Sequence, residues 1–247
     1  MSEGPMLTLA IPVRGERDTV ALERTLDGIH HVLSGTDIEV LVQAGDTASD
    51  QWCRSISNHP TSPRLQAQVD HGIYDAMNVL MNRATGDRIL FLGAGDIPLA
   101  GLARAMERWS AVDEALELGG VRIPNAELRV PRHYAPQWDR QLRWRNVAHH
   151  QGMAYPLSLL RTLGGFPVEF PVLADYALNL EMWQEGVKAR WSHGEDWVSA
   201  APGGVSRKFN AALYAEELQM KRSLLRPGLA RTIQPLWIRA KARWKKR

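Results

Sequence analysis

The stretch from Val69 to Asp96, VDHGIYDAMNVLMNRATGDRILFLGAGD, limits what this chain can fold into more tightly than any other segment. An acidic turn, Asp70-His71-Gly72, leads into a helical run in which Ile73, Met77, Leu80, Met81 and Ala84 share one face. Thr85-Gly86-Asp87 ends that helix, because glycine takes the left-handed cap that side chains resist. Arg88 to Leu92 then reads as a buried strand that delivers Asp96 on the loop at its carboxyl end, the edge where ligands sit in open α/β sheets. Helix packing requires none of Asp70, Tyr74, Asp75, Asn78 and Asp96, and Asp75 and Asn78, three apart, project from one side. Gly93-Ala94-Gly95 leave backbone room beside Asp96 for a bulky group, and a carboxylate in such a loop can bind a hard divalent cation that bridges phosphate oxygens.

The segments on either side repeat the rhythm. Leu7 to Val13 predicts a first strand ending near Pro12, followed by a loop at Arg14-Gly15-Glu16. A helix from Asp18 or Thr19 to about His31 would use Val20, Leu22, Leu26, Ile29 and Leu33 as its apolar set. Ile38 to Val42 is a second strand, a short helix holds Trp52 and Ile56, and Arg64 to Val69 is a third strand. Strand alternating with helix in this way predicts a doubly wound parallel sheet with right-handed crossovers. Further on, the pattern predicts a helix from Pro98 to about Trp109, a hairpin of Gly119 to Pro124 with Glu127 to Pro131, and a loop from His133 to Asn146. It then predicts helices over Leu157 to Leu163 and Val172 to Gly186, and separate strands at Val187 to Trp191 and Trp197 to Ala200.

The 27 residues from Asp70 to Asp96 resemble the acidic-Gly-Ile-Tyr-Asp-Ala-Met-Asn helix and Phe-Leu-Asn-x-x-Asp loop of the family 2 glycosyltransferases. They are most similar to the bacterial branch that builds capsule, exopolysaccharide and O-antigen. A second block agrees: His149-His150-Gln151-Gly152, Gly164-Gly165-Phe166 and Ala174-Asp175-Tyr176-Ala177 are similar to the family's His-Gln strand, Gly-Gly-Phe turn and Ala-Asp-Tyr-Asp helix start, with Ala177 in place of the second acid, and Gly203-Gly204-Val205-Ser206 to a glycine loop of the branch. The resemblance implies a GT-A fold, with a Rossmann-like nucleotide-binding half, a mixed central sheet and an acceptor-binding half. It implies a donor that is a nucleotide-diphosphate sugar (UDP, GDP or dTDP), gripped by Pro12, Arg14, Asp46, Asp70, Gly72, Asp75, Asn78, Gly95 and Asp96. Departures are local: Arg14-Gly15 replace an aromatic-Asn pair, Gln43 stands where an acid often reads the base, and Gly93-Ala94 remove the first acid of the metal motif. Asp46 is equally readable as a base-reading substitute or as a turn aspartate.

Within this resemblance Asp96 would hold Mn²⁺ or Mg²⁺ against the departing diphosphate. Asp175 would be the general base, ionised at a helix N-terminus, where the alternative is a plain N-cap. His150, Gln151 and Arg145 are candidates for orienting acceptor or phosphate, although a histidine on a strand is as often structural. One base without a second positioned carboxylate predicts direct displacement with inversion. No G-x-G-x-x-G follows the first strand, which excludes the usual nicotinamide fingerprint. The incomplete metal motif leaves open a binding protein or membrane scaffold that has lost turnover.

Charge divides the chain into a body, 1–217, and a tail, 218–247. Ten of the 30 basic residues and none of the 27 acidic ones lie from Leu218 to Arg247, leaving the body with twenty basic against 27 acidic, a balance of −7. From Gly228 onward Leu229, Ile233, Leu236, Trp237, Ala240 and Trp244 fall along one helical side, with Pro235 as a kink point. A basic amphipathic helix with tryptophans suits an anionic membrane surface and a lipid-linked or glycan acceptor, whereas an acidic body argues against nucleic acid. Cys53 is the only cysteine, and no leader or spanning segment is legible, so the expected place is the cytoplasm, peripheral at the inner face of the membrane.

Overall fold

The computed structural model describes residues 4–46, 48–109, 114–124, 131–202 and 210–245. Its first half carries β1 (Leu7–Val13), α1 (Thr19–Leu33), β2 (Ile38–Ala44), α2 (Asp50–Ser57), β3 (Arg64–Ala67), α3 (Ile73–Arg83) and β4 (Arg88–Phe91). β1 lies between β2 and β4, and β3 pairs with β2, all in parallel. Side-chain alternation explains the two-sided cover. Leu7, Leu9, Ile11, Val13, Val40, Val42 and Leu90 pack with α1, α2 and Trp197, whereas Ala10, Leu41, Ile89 and Phe91 pack with Met77, Leu80 and Met81 of α3.

The second half carries β5 (Ile97–Pro98), α4 (Ala100–Met106), β6 (Leu116–Arg122), β7 (His133–Tyr134), β8 (Met153–Pro156), α5 (Leu157–Thr162), α6 (Ala174–Gln184) and β9 (Ala189–Ser199). β8 joins β4 antiparallel, so among the described residues one mixed sheet runs β3-β2-β1-β4-β8-β6-β9-β5, with β7 on β6. Helices α7 (Ala211–Leu224) and α8 (Leu229–Lys245) follow.

Several local expectations change. Val20 is 81% exposed and Ile73 48%, so the apolar stripes of α1 and α3 are narrower than their periodicity suggested. β9 is one strand instead of two: its register with β6 jumps from Leu118↔Trp191 to Gly120↔Asp196, and Gly194 (φ 76) accommodates the excursion. β6 is an interior strand, not one arm of a simple hairpin, because β8 and β9 flank it; the arm expected at Glu127 to Pro131 falls mostly outside the described residues, as does the loop at 203–206. The stretch expected to be loop, 133–146, contains β7 and a 3-10 helix at Arg140–Arg143. α7 runs across residue 217, so the division by charge falls within a helix.

Candidate active site at the carboxyl edge of the sheet

The loops after β1, β2 and β3 lean on one another. Arg14 bonds Asp18 with its main-chain N–H at 2.9 Å and its guanidinium at 2.6 Å, Arg17 pairs with Asp46, and Ser49 N donates to Glu16 Oε1 at 2.7 Å. Pro12 is buried within β1 opposite Gln43. Asp70 accepts the Gly72 N–H at 3.0 Å and packs over Gly45, and Asp75 accepts the His71 N–H at 2.9 Å, which orders the start of α3. Gln43 donates to Gln68 O at 2.9 Å, while its buried Oε1 has no hydrogen-bond partner among the described residues.

Asp96 is 1% exposed. Its Oδ2 accepts the Gly93 N–H at 2.6 Å and the Gln151 side-chain amide, and its Oδ1 accepts the Ala201 N–H at 2.8 Å. Burial pushes the Asp96 carboxyl up, against the pull of the Ala201 and Gly93 N–H groups, the charge of His150 and the Gln151 amide. Gly95 does not leave open backbone here: its N–H is shared between Ala21 O and Thr25 Oγ1, its φ is 95°, and a Cβ would meet Ala201 at 3.0 Å. Nor do these donors make a cation cage, since both oxygens of Asp96 are taken and no group of three His, Cys, Asp or Glu side chains gathers among the described residues.

Asp175 sits in the first turn of α6, whose N-cap is Leu173. Its Oδ1 accepts the Tyr176 N–H at 2.7 Å and faces the Tyr74 hydroxyl at 3.1 Å, a hydroxyl also 2.9 Å from Val172 O. Among the described residues its Oδ2 has only long contacts, 3.3 Å to Asn146 Nδ2 and 3.4 Å to His150 Nδ1. Burial alone would raise this carboxyl; the hydrogen bond and charge of His150, the charge of His149 and the Tyr176 N–H outweigh it and hold it below its usual range.

The two acids are joined through consecutive residues: His150 touches Asp175, and Gln151 bonds Asp96. Both belong to a 3-10 turn, His150–Gly152, entering β8, not to the strand itself. Asn78 is not part of this arrangement. Its amide donates to Phe166 O at 2.9 Å and accepts the Phe166 N–H at 2.8 Å, clamping the Gly164-Gly165 turn. Arg145 turns to Gln141 Oε1 at 2.8 Å on the exposed side of its segment. Asn146 and Asn179 went unnoticed as site groups in the sequence, because nothing in their local spacing reports that they meet; Asn179 donates to Asn146 Oδ1 at 3.2 Å.

No protein-family model matches the chain. It is 30% identical over 197 residues to a PGL/p-HBAD biosynthesis glycosyltransferase of Mycobacterium tuberculosis, covering 76% of this chain and 74% of that protein. A second glycosyltransferase of the same organism is 26% identical over 175 residues, covering 68% and 66%. Among solved structures, Staphylococcus aureus TarS 1–349 in complex with UDP superposes with a TM-score of 0.64 at 15% identity, over 94% of this chain and 69% of that one. The mannosyltransferase PcManGT of Pyrobaculum calidifontis, in complex with GDP-Man and Mn²⁺, gives 0.59 at 20% identity, over 98% and 70%. With the identity and two-way coverage of the first of these, the chain belongs to the glycosyltransferases.

Proposed function

We propose that the chain is an inverting, family 2 transferase of GT-A fold that moves a sugar from a nucleotide-diphosphate sugar to a hydroxyl acceptor, with Asp175 as general base. Solved neighbours in complex with UDP, UDP-GlcNAc and GDP-Man support a donor of this class. The observation that carries the reading is the environment of Asp175: a carboxylate held ionised, with one oxygen loosely occupied at 3.3 and 3.4 Å. An acceptor hydroxyl that displaces those long contacts gives its proton to Oδ2 as its oxygen attacks the anomeric carbon. The bond from that carbon to the diphosphate breaks, and the electron pair leaves with the nucleoside diphosphate. Tyr74 and the Tyr176 N–H hold the other oxygen, which fixes the carboxylate plane during transfer.

The state of the other acid supports inversion. A double displacement needs an accessible nucleophilic carboxylate, and Asp96 is buried with three donors on its oxygens. In this reading Asp96 ties the β4 loop to Gln151 and Ala201. The nucleobase and ribose fall to the loops bearing Arg14, Asp46 and Asp70. A divalent cation would supply charge at the diphosphate, but the arrangement around Asp96 offers it no open position. The acceptor is read as a lipid-linked or surface-glycan intermediate, met at an anionic membrane through residues 228–247.

A panel of UDP-, GDP- and dTDP-sugars, assayed with Mn²⁺, with Mg²⁺ and with chelator, tests the reading. Asp175→Asn should bind nucleotide as the wild type does and lose transfer by about 10²–10⁴-fold; equal turnover by the variant sinks the assignment of the base. Nucleotide binding with no turnover of any donor by the wild type would favour the non-catalytic alternative.

A further inference from the structure

Three consecutive carbonyls at the end of the 3-10 helix Arg140–Arg143 are each met by a donor from a different helix. The Tyr176 hydroxyl of α6 donates to Leu142 O at 2.6 Å, Gln234 Nε2 of α8 to Arg143 O at 2.8 Å, and Lys221 Nζ of α7 to Trp144 O at 2.8 Å. Carbonyls at a helix end lack partners within the helix and must find donors elsewhere. Gln234 is 1% exposed and Lys221 0%, positions that cost stability unless the bonds made there are needed. The Trp237 ring of α8 adds an edge contact to Trp144, with centroids 5.9 Å apart. Glu217 of α7 takes both Lys221, at 2.9 Å, and Lys241 of α8, at 2.8 Å, so α8 is fastened to the same cluster.

Beyond this clasp the chain turns directly to the acid. Two residues after Trp144, Asn146 donates to Asp175, and Asn179 fixes Asn146 Oδ1 and Ala148 O; His150 then reaches the same carboxylate. Segment 142–150 is therefore held by the tail helix at one end and meets Asp175 at the other.

We infer that α8 is a positioning element for the active site: Gln234 and Trp237 hold segment 142–150 so that Asn146 and His150 stand against Asp175. This deepens the reading of Asp175 as the base and rests on it. The ionisable groups facing Asp175 are Tyr74 from α3, Tyr155 from β8, and His149 and His150 from the segment, with Glu216 of α7 bonded to the adjoining Val172 and Leu173 N–H groups. Of these, the two histidines lie on the held segment, and together with the Tyr176 N–H they outweigh burial; a loosened segment lets Asp175 climb back toward the ordinary carboxylate range.

The experiment follows the Asp175 side-chain carbon by NMR in the full chain labelled with ¹³C-aspartate, the resonance being identified by its loss in Asp175→Asn, together with hydrogen exchange of amides 142–150. Gln234→Leu keeps the bulk and removes the amide; Trp237→Ala removes a half-exposed ring and serves if the first variant fails to fold. Thr232→Ala, whose hydroxyl bonds only Gly228 O just before α8 among the described contacts, is the control. The expected result is an upward move of the Asp175 titration and about tenfold faster exchange of 142–150 in both test variants, with neither change in the control. Unchanged titration and exchange in a folded Gln234→Leu or Trp237→Ala overturns the inference. Because these readouts need no turnover, failure of the base assignment, seen as full activity of Asp175→Asn, is a separate result.

Discussion

Asp96 and Asp175 are both enclosed, yet their surroundings push them apart: burial lifts the first, while His150, His149 and a helical N–H hold the second down. Environments that push two carboxyls apart in this way are the pattern by which acid and base roles come to differ. The signs follow by linkage. The lowered Asp175 contributes stability that is present above its unfolded value and lost as pH falls through its folded one; the raised Asp96 costs stability as pH rises through its folded value. Asp96→Asn should therefore not relieve the site. It places an NH₂ among three donors, from Gly93, Gln151 and Ala201, and should destabilise the chain by about 1–3 kcal/mol, read by thermal or denaturant unfolding. Asp175, His150 and Gln151 were legible because each sits in a patterned stretch. Asn146 was not, because its role comes from a three-dimensional return of the chain that no local spacing encodes.

At the scale of elements, the Gly164-Gly165-Phe166 turn and α3 form one unit. Gly165 has φ 80°, and a Cβ there would stand 2.4 Å from Asn78 Oδ1, the atom that accepts the Phe166 N–H. Gly165→Ala should cost about 1–3 kcal/mol, measured by chemical denaturation, through both the backbone conformation and the displaced amide. The same unit explains why Asn78 looked like a ligand residue in the sequence: a polar group on a helix with no helical duty was satisfied by a distant main chain. The parallel strands were readable from their apolar runs and the helices between them from their periodicity. β9 was not, because an excursion around Gly194 interrupts its pairing and mimics two short strands with a turn.

For the molecule as a whole, α8 reverses the usual use of an amphipathic helix. Gln234, Ile238 and Lys241 face the body and the Trp237 ring meets Trp144, while Leu229, Leu236 and Ile233 are 75%, 66% and 37% exposed. No described helix is long and apolar enough to cross a membrane. An apolar row on a basic helix suits an interface instead. The 247-residue chain should therefore sediment with vesicles containing anionic lipid and stay in solution with neutral ones; equal pelleting by a form lacking 228–247 would count against the membrane reading. Charge division along the chain was plain in the sequence, but which side of the tail docks was not, since amphipathicity alone favours burying the apolar row.

The supports of the two acids are neighbours in the chain, His150 on one and Gln151 on the other. Their Cα atoms are therefore about 3.8 Å apart by covalent geometry, not by packing. A peptide unit thus acts as a ruler between the two carboxylates. The spacing of the two supports is set by the chain itself, and an inserted residue between them would reset it.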